Sequence, residues 1–227
     1  MQLSENVDCY ASVQQREVLI QLADHPLVNK SFFLTGGTAL SVFYLHHRTS
    51  EDLDLFTVDD IELSEIPFWI GTVWPAEHVN VRLTRQFLSM LIRGVKVDFV
   101  VDSMSGRGKR ERAVFDGKSM MIDSLENIGA NKLCTIVSRT EPKDFVDFYF
   151  FSRNIPELSF DRLFELARKR EALFDDLPTA AFQLEDGLRF IREHEQLIPQ
   201  LKKPIDLQEM VTFYNDCARR LYQMGRA

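Results

Sequence analysis

The sequence predicts an α/β (α+β) domain built on a mixed sheet over residues 1–122, followed by an α-helical domain over residues 123–227. Three observations carry this. Short apolar or alternating runs that stop at turn residues fall in the first part, at 32–35, 53–57 and 95–101. A Gly36-Gly37 pair stands between one of these runs and a helical stretch. From Asp123 onward the apolar residues recur almost wholly with a helical period.

Taken in order, Val13, Val18, Leu19 and Leu22 give the stretch from Ser12 to Ala23 a helical rhythm, which His25-Pro26 ends. Phe32-Phe33-Leu34-Thr35 reads as a buried strand stopped by two glycines. Thr38 to His46 reads as a helix, with Leu40, Phe43 and Tyr44 at 3.6-type spacing. The glycines then lie between a strand and a helix, where backbone N–H groups can meet phosphate. Residues 53–57 form the next strand, and 61–70 a helix with Pro75 beyond it. Residues 79–83 and 87–93 alternate loosely, and Gly94 turns the chain into a strand over 95–101. There Val95, Val97, Phe99 and Val101 share one face, while Lys96, Asp98 and Val100 share the other. A charged Asp98 among β-branched residues requires a partner. Residues 107–112 read as an exposed basic loop. Helices follow over 124–138, 143–152, 161–174, 179–194 and 206–224, with capping residues at Asp123-Ser124, Ser159 and Asp206.

With 45% hydrophobic residues the chain has ample material for a core, and 18 Phe against 2 Trp and 5 Tyr predict a phenylalanine-rich one. The net charge of −7 gives no general attraction to nucleic acid, so such a partner must meet a local basic patch. Cys9, Cys134 and Cys217 form neither a CxxC pair nor a zinc spacing. Their odd number, with a polar N-terminus lacking an apolar signal core, predicts a reducing, cytoplasmic location. No apolar run approaches the ~18 residues that span a bilayer, so no membrane is expected.

The chemistry is concentrated at residues 36–56. In a strand, Asp52 and Asp54 face one way while Leu53 and Leu55 pack on the other. Two like charges so close require something positive between them. A hard divalent cation, Mg²⁺ or Mn²⁺, suits carboxylate oxygens. The strand over 95–101 would bring Asp98 as a third carboxylate. Three acidic groups around two metal ions suit in-line attack on a phosphate, and the glycine turn supplies a phosphate cradle. These parts together predict metal-assisted nucleotidyl transfer. Each also has a plainer reading. Asp-x-Asp occurs on any solvated strand, Gly36-Gly37 serves as a simple turn, and Thr38 serves as a helix cap.

The string Gly36-Gly37-Thr38-Ala39-Leu40, then His47-Arg48-Thr49-Ser50-Glu51-Asp52-Leu53-Asp54-Leu55-Phe56, resembles the AbiEii/AbiGii-type toxin family of the DNA polymerase β-like nucleotidyltransferase superfamily. Asn131-Lys132-Leu133, Ser138-Arg139 and the segment 142–149 resemble that family's later motif, so the resemblance covers residues 32–152. It implies a nucleotidyltransferase core with a helical domain, acting as the toxin of a type IV toxin–antitoxin (abortive-infection) pair. It implies a nucleoside triphosphate substrate, Mg²⁺, an RNA acceptor at the 3′ end of tRNA, and a cognate antitoxin protein. By the same resemblance Gly36, Gly37 and Thr38, with Arg48 and Ser50, bind the nucleotide. Asp52 and Asp54 are catalytic and bind metal, with Asp98 as a third metal position. Lys132 neutralises triphosphate charge, and Asp147 is the downstream acidic catalytic position, with Asp144 beside it.

Several readings stay open. Lys132 with Arg139, and Asp144 with Asp147, each share a helix face and equally suit an inter-helix salt-bridge network. His47 and Arg48 read first as structural residues, and the Arg48 guanidinium could also clamp the acidic strand or a phosphate. His46 and His47 lack a metal-ligand spacing, which argues against zinc. The basic runs Arg107, Lys109, Arg110, Arg112 and Arg162, Arg168, Lys169, Arg170 either contact nucleic-acid backbone or are simply solvated. Two rival functions remain: a non-catalytic triphosphate-binding regulator, and a nucleotidyltransferase for a small cationic acceptor such as an aminoglycoside. The latter suits the negative net charge.

Overall fold

Seven strands form one mixed sheet in the first half of the chain, in the order β3-β4-β5-β2-β1-β7-β6. The computed structural model describes residues 3–103, 105 and 109–225. The chain divides into two compact units, Met1–Ser124 and Leu125–Ala227.

In the first unit, α1 (Val13–Asp24) starts where the Ser12 hydroxyl accepts from the Gln15 N–H, and it buries Gln15, Val18, Leu19 and Leu22 as a stripe. A short α2 (Pro26–Ser31) leads into β1 (Phe33–Thr35). The chain then turns through α3 (Gly36–Thr38) into a π-helical segment, Ala39–Leu45, closed by the His46 N–H to the Ser41 carbonyl at 3.0 Å. This replaces the α-helix expected over 38–46. All seven residues of the π segment are buried, so no exposed face enforces a 3.6-residue apolar stripe. Such π turns are often found at functional sites.

β2 (Leu53–Thr57) pairs antiparallel with β1 and parallel with β5 (Val95–Val101). Between them lie α4 (Ile66–Val73), β3 (His78–Leu83) and β4 (Phe87–Ile92). α4 starts later than the expected 61, because Pro67 is accommodated only in a first helical turn and a 3₁₀ turn, Leu63–Glu65, precedes it. The basic loop expected over 107–112 is corrected in part. Arg107 lies outside the described residues, while Glu111 and Arg112 open β6 (Glu111–Phe115), which pairs with β7 (Lys118–Ile122). Asp116 and Gly117 make the turn between them with φ of 51° and 71°. Asp-Gly in a two-residue hairpin is a strong local signal, and it marks a hairpin the periodicity reading passed over.

The second unit is helical: α5 (Leu125–Ser138), α6 (Pro142–Asn154), α7 (Phe160–Ala167), α8 (Leu177–Glu193) and α9 (Leu207–Met224). Ser159 and Asp206 cap α7 and α9 as expected. The helix expected over 161–174 stops at Ala167, and a separate 3₁₀ turn follows at Ala172–Asp175. Phenylalanines fill both cores: Phe32, Phe43 and Phe99 in the first, Phe145, Phe148, Phe151, Phe164 and Phe174 in the second. Among the described residues no helix is long and apolar enough to cross a membrane.

Candidate active site

Strand register assembles the acidic face. The parallel pairing of β2 with β5 sets Leu53 beside Val97 and Asp54 beside Asp98. Leu53, Leu55 and Thr57 are buried on one face of β2, so alternation turns Asp54 to the other. Ser89 of β4 stands opposite Asp98, and its hydroxyl donates to Asp98 Oδ1 at 2.6 Å. Between the carboxylates lies a cation that the sequence reading placed on the correct face but gave no role. Lys96 Nζ is 2.9 Å from Asp98 Oδ2 and 3.9 Å from Asp52 Oδ2. Burial alone would lower the pKa of this ammonium. Its hydrogen bond to Asp98 and the charges of Asp52, Asp98 and Asp54 outweigh that and raise it.

The glycine turn sits directly on this face. Gly36 has φ of 68°, and a Cβ there would collide with Asp54 Oδ2 and come within 2.9 Å of Asp54 Cγ. A Cβ on Gly37 would meet Ser50 Oγ at 3.0 Å and the Arg48 guanidinium. Within residues 32–45 only Gly36 and Gly37 are part-exposed, so the backbone of the turn is the surface this segment offers. The N–H groups that open a helical segment have no partner within it.

Thr38 faces inward. Its hydroxyl lies 3.0 Å from Ser50 Oγ, donates to the Asp52 carbonyl, and accepts from Gln15 Nε2 at 3.4 Å. It thus fastens the turn to the segment carrying Asp52. Gln15, 1% exposed, occupies an apolar-stripe position of α1, three residues before Val18 and four before Leu19. A polar side chain at such a position is the signal by which the sequence could have flagged it. Arg48 and His47 are buried too, and Arg48 Nη1 donates to the Thr49 carbonyl at 2.7 Å. The strand end before the turn is anchored separately. Thr35 donates to Asp123 Oδ2 at 2.8 Å, and Arg110 Nε donates to Asp123 Oδ1 at 3.1 Å. Arg110 also lies 3.6 Å above the Phe33 ring, so it belongs to the interior and not to a basic loop.

Whether these residues suit a divalent cation is answered by their chemistry. Among the described residues, no three His, Cys, Asp or Glu side chains are gathered closely enough to form a ready cation cage. Yet Asp52 and Asp98 already converge on a positive group, the Lys96 ammonium, which stands in for a cation. Hard carboxylate oxygens from β5 and from the residue that precedes β2, drawn to a common positive centre, fit a hard divalent ion.

The second unit holds the other cluster. Lys132 on α5 bridges Asp144 Oδ1 and Asp147 Oδ2 of α6 at 2.6 Å each. Arg139 grips Asp144 Oδ2 through Nε at 2.9 Å and Nη2 at 2.7 Å. Asp144 and Asp147 are fully buried and Lys132 is nearly so. Burial would raise the Asp144 pKa, but the Lys132 and Arg139 charges overcome this and hold the carboxyl below its ordinary value. Two arginines of the second basic run are engaged within the unit as well: Arg162 with Glu126 at 3.0 Å, and Arg170 with Asn131 and Asn127 at 2.6 and 2.8 Å.

The mixed sheet that carries this turn, with the helices after it, is shared by solved structures. JHP933 from Helicobacter pylori superposes with a TM-score of 0.59 at 18% identity, over 98% of this chain and 95% of that one. A second H. pylori protein, assigned to the nucleotidyltransferases, gives 0.58 at 19% identity over 95% and 97%. ANT(2″)-Ia in complex with adenylyl-2″-tobramycin gives 0.51 at 14% identity over 70% and 97%. At these identities the likeness shows the fold. The family is shown by sequence: residues 18–213 match the nucleotidyl transferase AbiEii toxin family of type IV toxin–antitoxin systems, and the chain belongs to it. No curated protein matches the sequence.

Proposed function

We propose that this nucleotidyltransferase moves a nucleoside monophosphate from a nucleoside triphosphate to a hydroxyl at the 3′ end of tRNA, with Mg²⁺ as the cation. It does so as a toxin held in check by a cognate antitoxin. The observation that carries the reading is the seating of Gly36 on Asp54, which joins phosphate-binding backbone to the acidic face at one point. Membership of a toxin family of nucleotidyl transferases supports the reaction class and the antitoxin partner.

In this reading Asp52, Asp54 and Asp98 hold the divalent ion. When bound, it supplies Lewis-acid stabilisation of the triphosphate and eases deprotonation of the attacking hydroxyl. The Gly36 and Gly37 N–H groups bind phosphate oxygens. Thr38, Ser50 and Gln15 fix the turn, and Arg48 supports it from beneath. Lys132 and Asp147, to which the resemblance gives a triphosphate and an acidic role, are engaged with each other inside the second unit, and the proposal assigns them no step. The acceptor hydroxyl loses its proton to solvent, its oxygen forms a bond to the α-phosphorus, the bond from that phosphorus to the α–β bridging oxygen breaks, and pyrophosphate leaves.

A small cationic acceptor is the second reading. It is favoured by the net charge of −7 and by a fold shared with ANT(2″)-Ia. The test is incubation with Mg²⁺ and each α-labelled nucleoside triphosphate in turn, with total tRNA or tobramycin as acceptor. Label on tRNA alone supports the proposal, and label on tobramycin alone replaces it with the second reading. Triphosphate binding with label on neither acceptor turns the site into that of a regulator.

A further inference from the structure

The acidic face carries its own cation. Lys96 projects from β5 two residues before Asp98, on the same face, and its ammonium reaches Asp98 at 2.9 Å and Asp52 at 3.9 Å. Three carboxylates, Asp52, Asp54 and Asp98, lie within its electrostatic reach. The side chain is 45% exposed, on a flexible four-carbon stem, so it can swing to solvent without disturbing the core. Ser89, by contrast, is 3% exposed and fixes Asp98 Oδ1 from the buried side. Asp98 therefore has one oxygen held permanently by Ser89 and the other held by a group that can leave.

A divalent ion held by these carboxylates would draw on the same Asp98 carboxylate that now accepts from the ammonium. Two cations at one oxygen repel, so the ammonium and a metal ion would each weaken the other's hold on Asp98. We infer that Lys96 is a displaceable counter-cation and a positioning residue. It keeps the carboxylates oriented before the metal arrives, and it yields Asp98 when the metal binds. The inference rests on the proposed metal role of these carboxylates. One consequence is a built-in order: the metal binds weakly by itself and better with the triphosphate, whose phosphates give the released ammonium a new partner.

The test is Mn²⁺ binding to the full chain, read from the loss of the free-ion paramagnetic resonance signal without triphosphate and, with it, from equilibrium dialysis of Mn²⁺ against a protein-free Mn²⁺–triphosphate control. The proteins are the natural sequence, Lys96→Met, Lys96→Gln and Lys96→Arg, each first shown to melt cooperatively. Without triphosphate, Lys96→Met and Lys96→Gln should bind Mn²⁺ about tenfold more tightly, and Lys96→Arg should restore weak binding. Adding triphosphate should tighten binding more in the natural protein than in Lys96→Met. Equal affinity for Mn²⁺ in all four proteins, or weaker binding in Lys96→Met, would overturn the inference and leave the proposed function standing. No binding by any of them, with or without triphosphate, would overturn both.

Discussion

Replacing Lys132 by Met keeps the length of the side chain and removes its charge. The cluster now balances Lys132 and Arg139 against Asp144 and Asp147, with both carboxylates at zero exposure. After the change Arg139 still grips Asp144, but both buried carboxylates have lost a partner at 2.6 Å. Removing one partner from a buried pair costs about 3–5 kcal/mol. That is a large share of a whole-protein stability of about 5–15 kcal/mol. With a urea dependence of about 2 kcal/mol per molar, the unfolding midpoint should fall by about 1.5–2.5 M. Far-UV circular dichroism follows the helices, while Trp69 and Trp74, both in the first unit, report that unit through fluorescence. The dichroism midpoint should shift by the full amount, and a Lys132→Met/Asp144→Asn/Asp147→Asn triple variant should recover part of it. A dichroism shift below about 0.5 M in Lys132→Met would refute the reasoning, because the buried network would then contribute little to holding α5 to α6.

Three other outcomes follow from the geometry. Gly36→Ala should lower stability by about 1–3 kcal/mol through its positive φ. It should also cut transfer by about a hundredfold through displacement of Asp54, as melting and label-transfer assays would show. Asp144, whose folded pKa lies below its ordinary 3.8, adds stability that is complete above that value and is lost as pH falls below it. Acid titration of unfolding should therefore show a shallower acid limb in Asp144→Asn. Burial pushes the Cys134 and Cys217 thiols up to about 12, so in the native protein both should react with a thiol reagent far more slowly than in urea at pH 8.

The parts of the site that were legible in the sequence are those set by local rules. Gly36-Gly37 before a helical stretch, and the alternation of Asp52 and Asp54 with Leu53 and Leu55, need only the turn and strand periods to be read. The facing of Lys96 and Asp98 was legible for the same reason. That Lys96 bridges Asp98 to Asp52 was not, because it depends on the register of β5 against β2, and some forty residues separate the two strands. The partners of Gln15 and Asp123 were hidden likewise, since Thr38 and Thr35 lie 23 and 88 residues away. The π-helical stretch leaves no exposed stripe to betray its period. The β6–β7 hairpin was a different kind of miss: its Asp116-Gly117 turn was present in the sequence, between runs whose charges obscured their alternation. In the second unit the helices were readable from their period and caps. The choice between salt-bridge network and active residues for Lys132 and Asp147 was not, because identical residue types serve both.

In the proposed reaction Asp54, beneath the glycine turn, serves metal-dependent transfer. The most direct measurement is pyrophosphate release from Mg²⁺ and nucleoside triphosphate in the presence of tRNA, by the natural protein and by Asp54→Asn of matched thermal stability. Release that vanishes with a chelator and falls at least about a hundredfold in Asp54→Asn is the predicted result. Equal release by the two proteins, or release that persists without a divalent ion, would contradict the account.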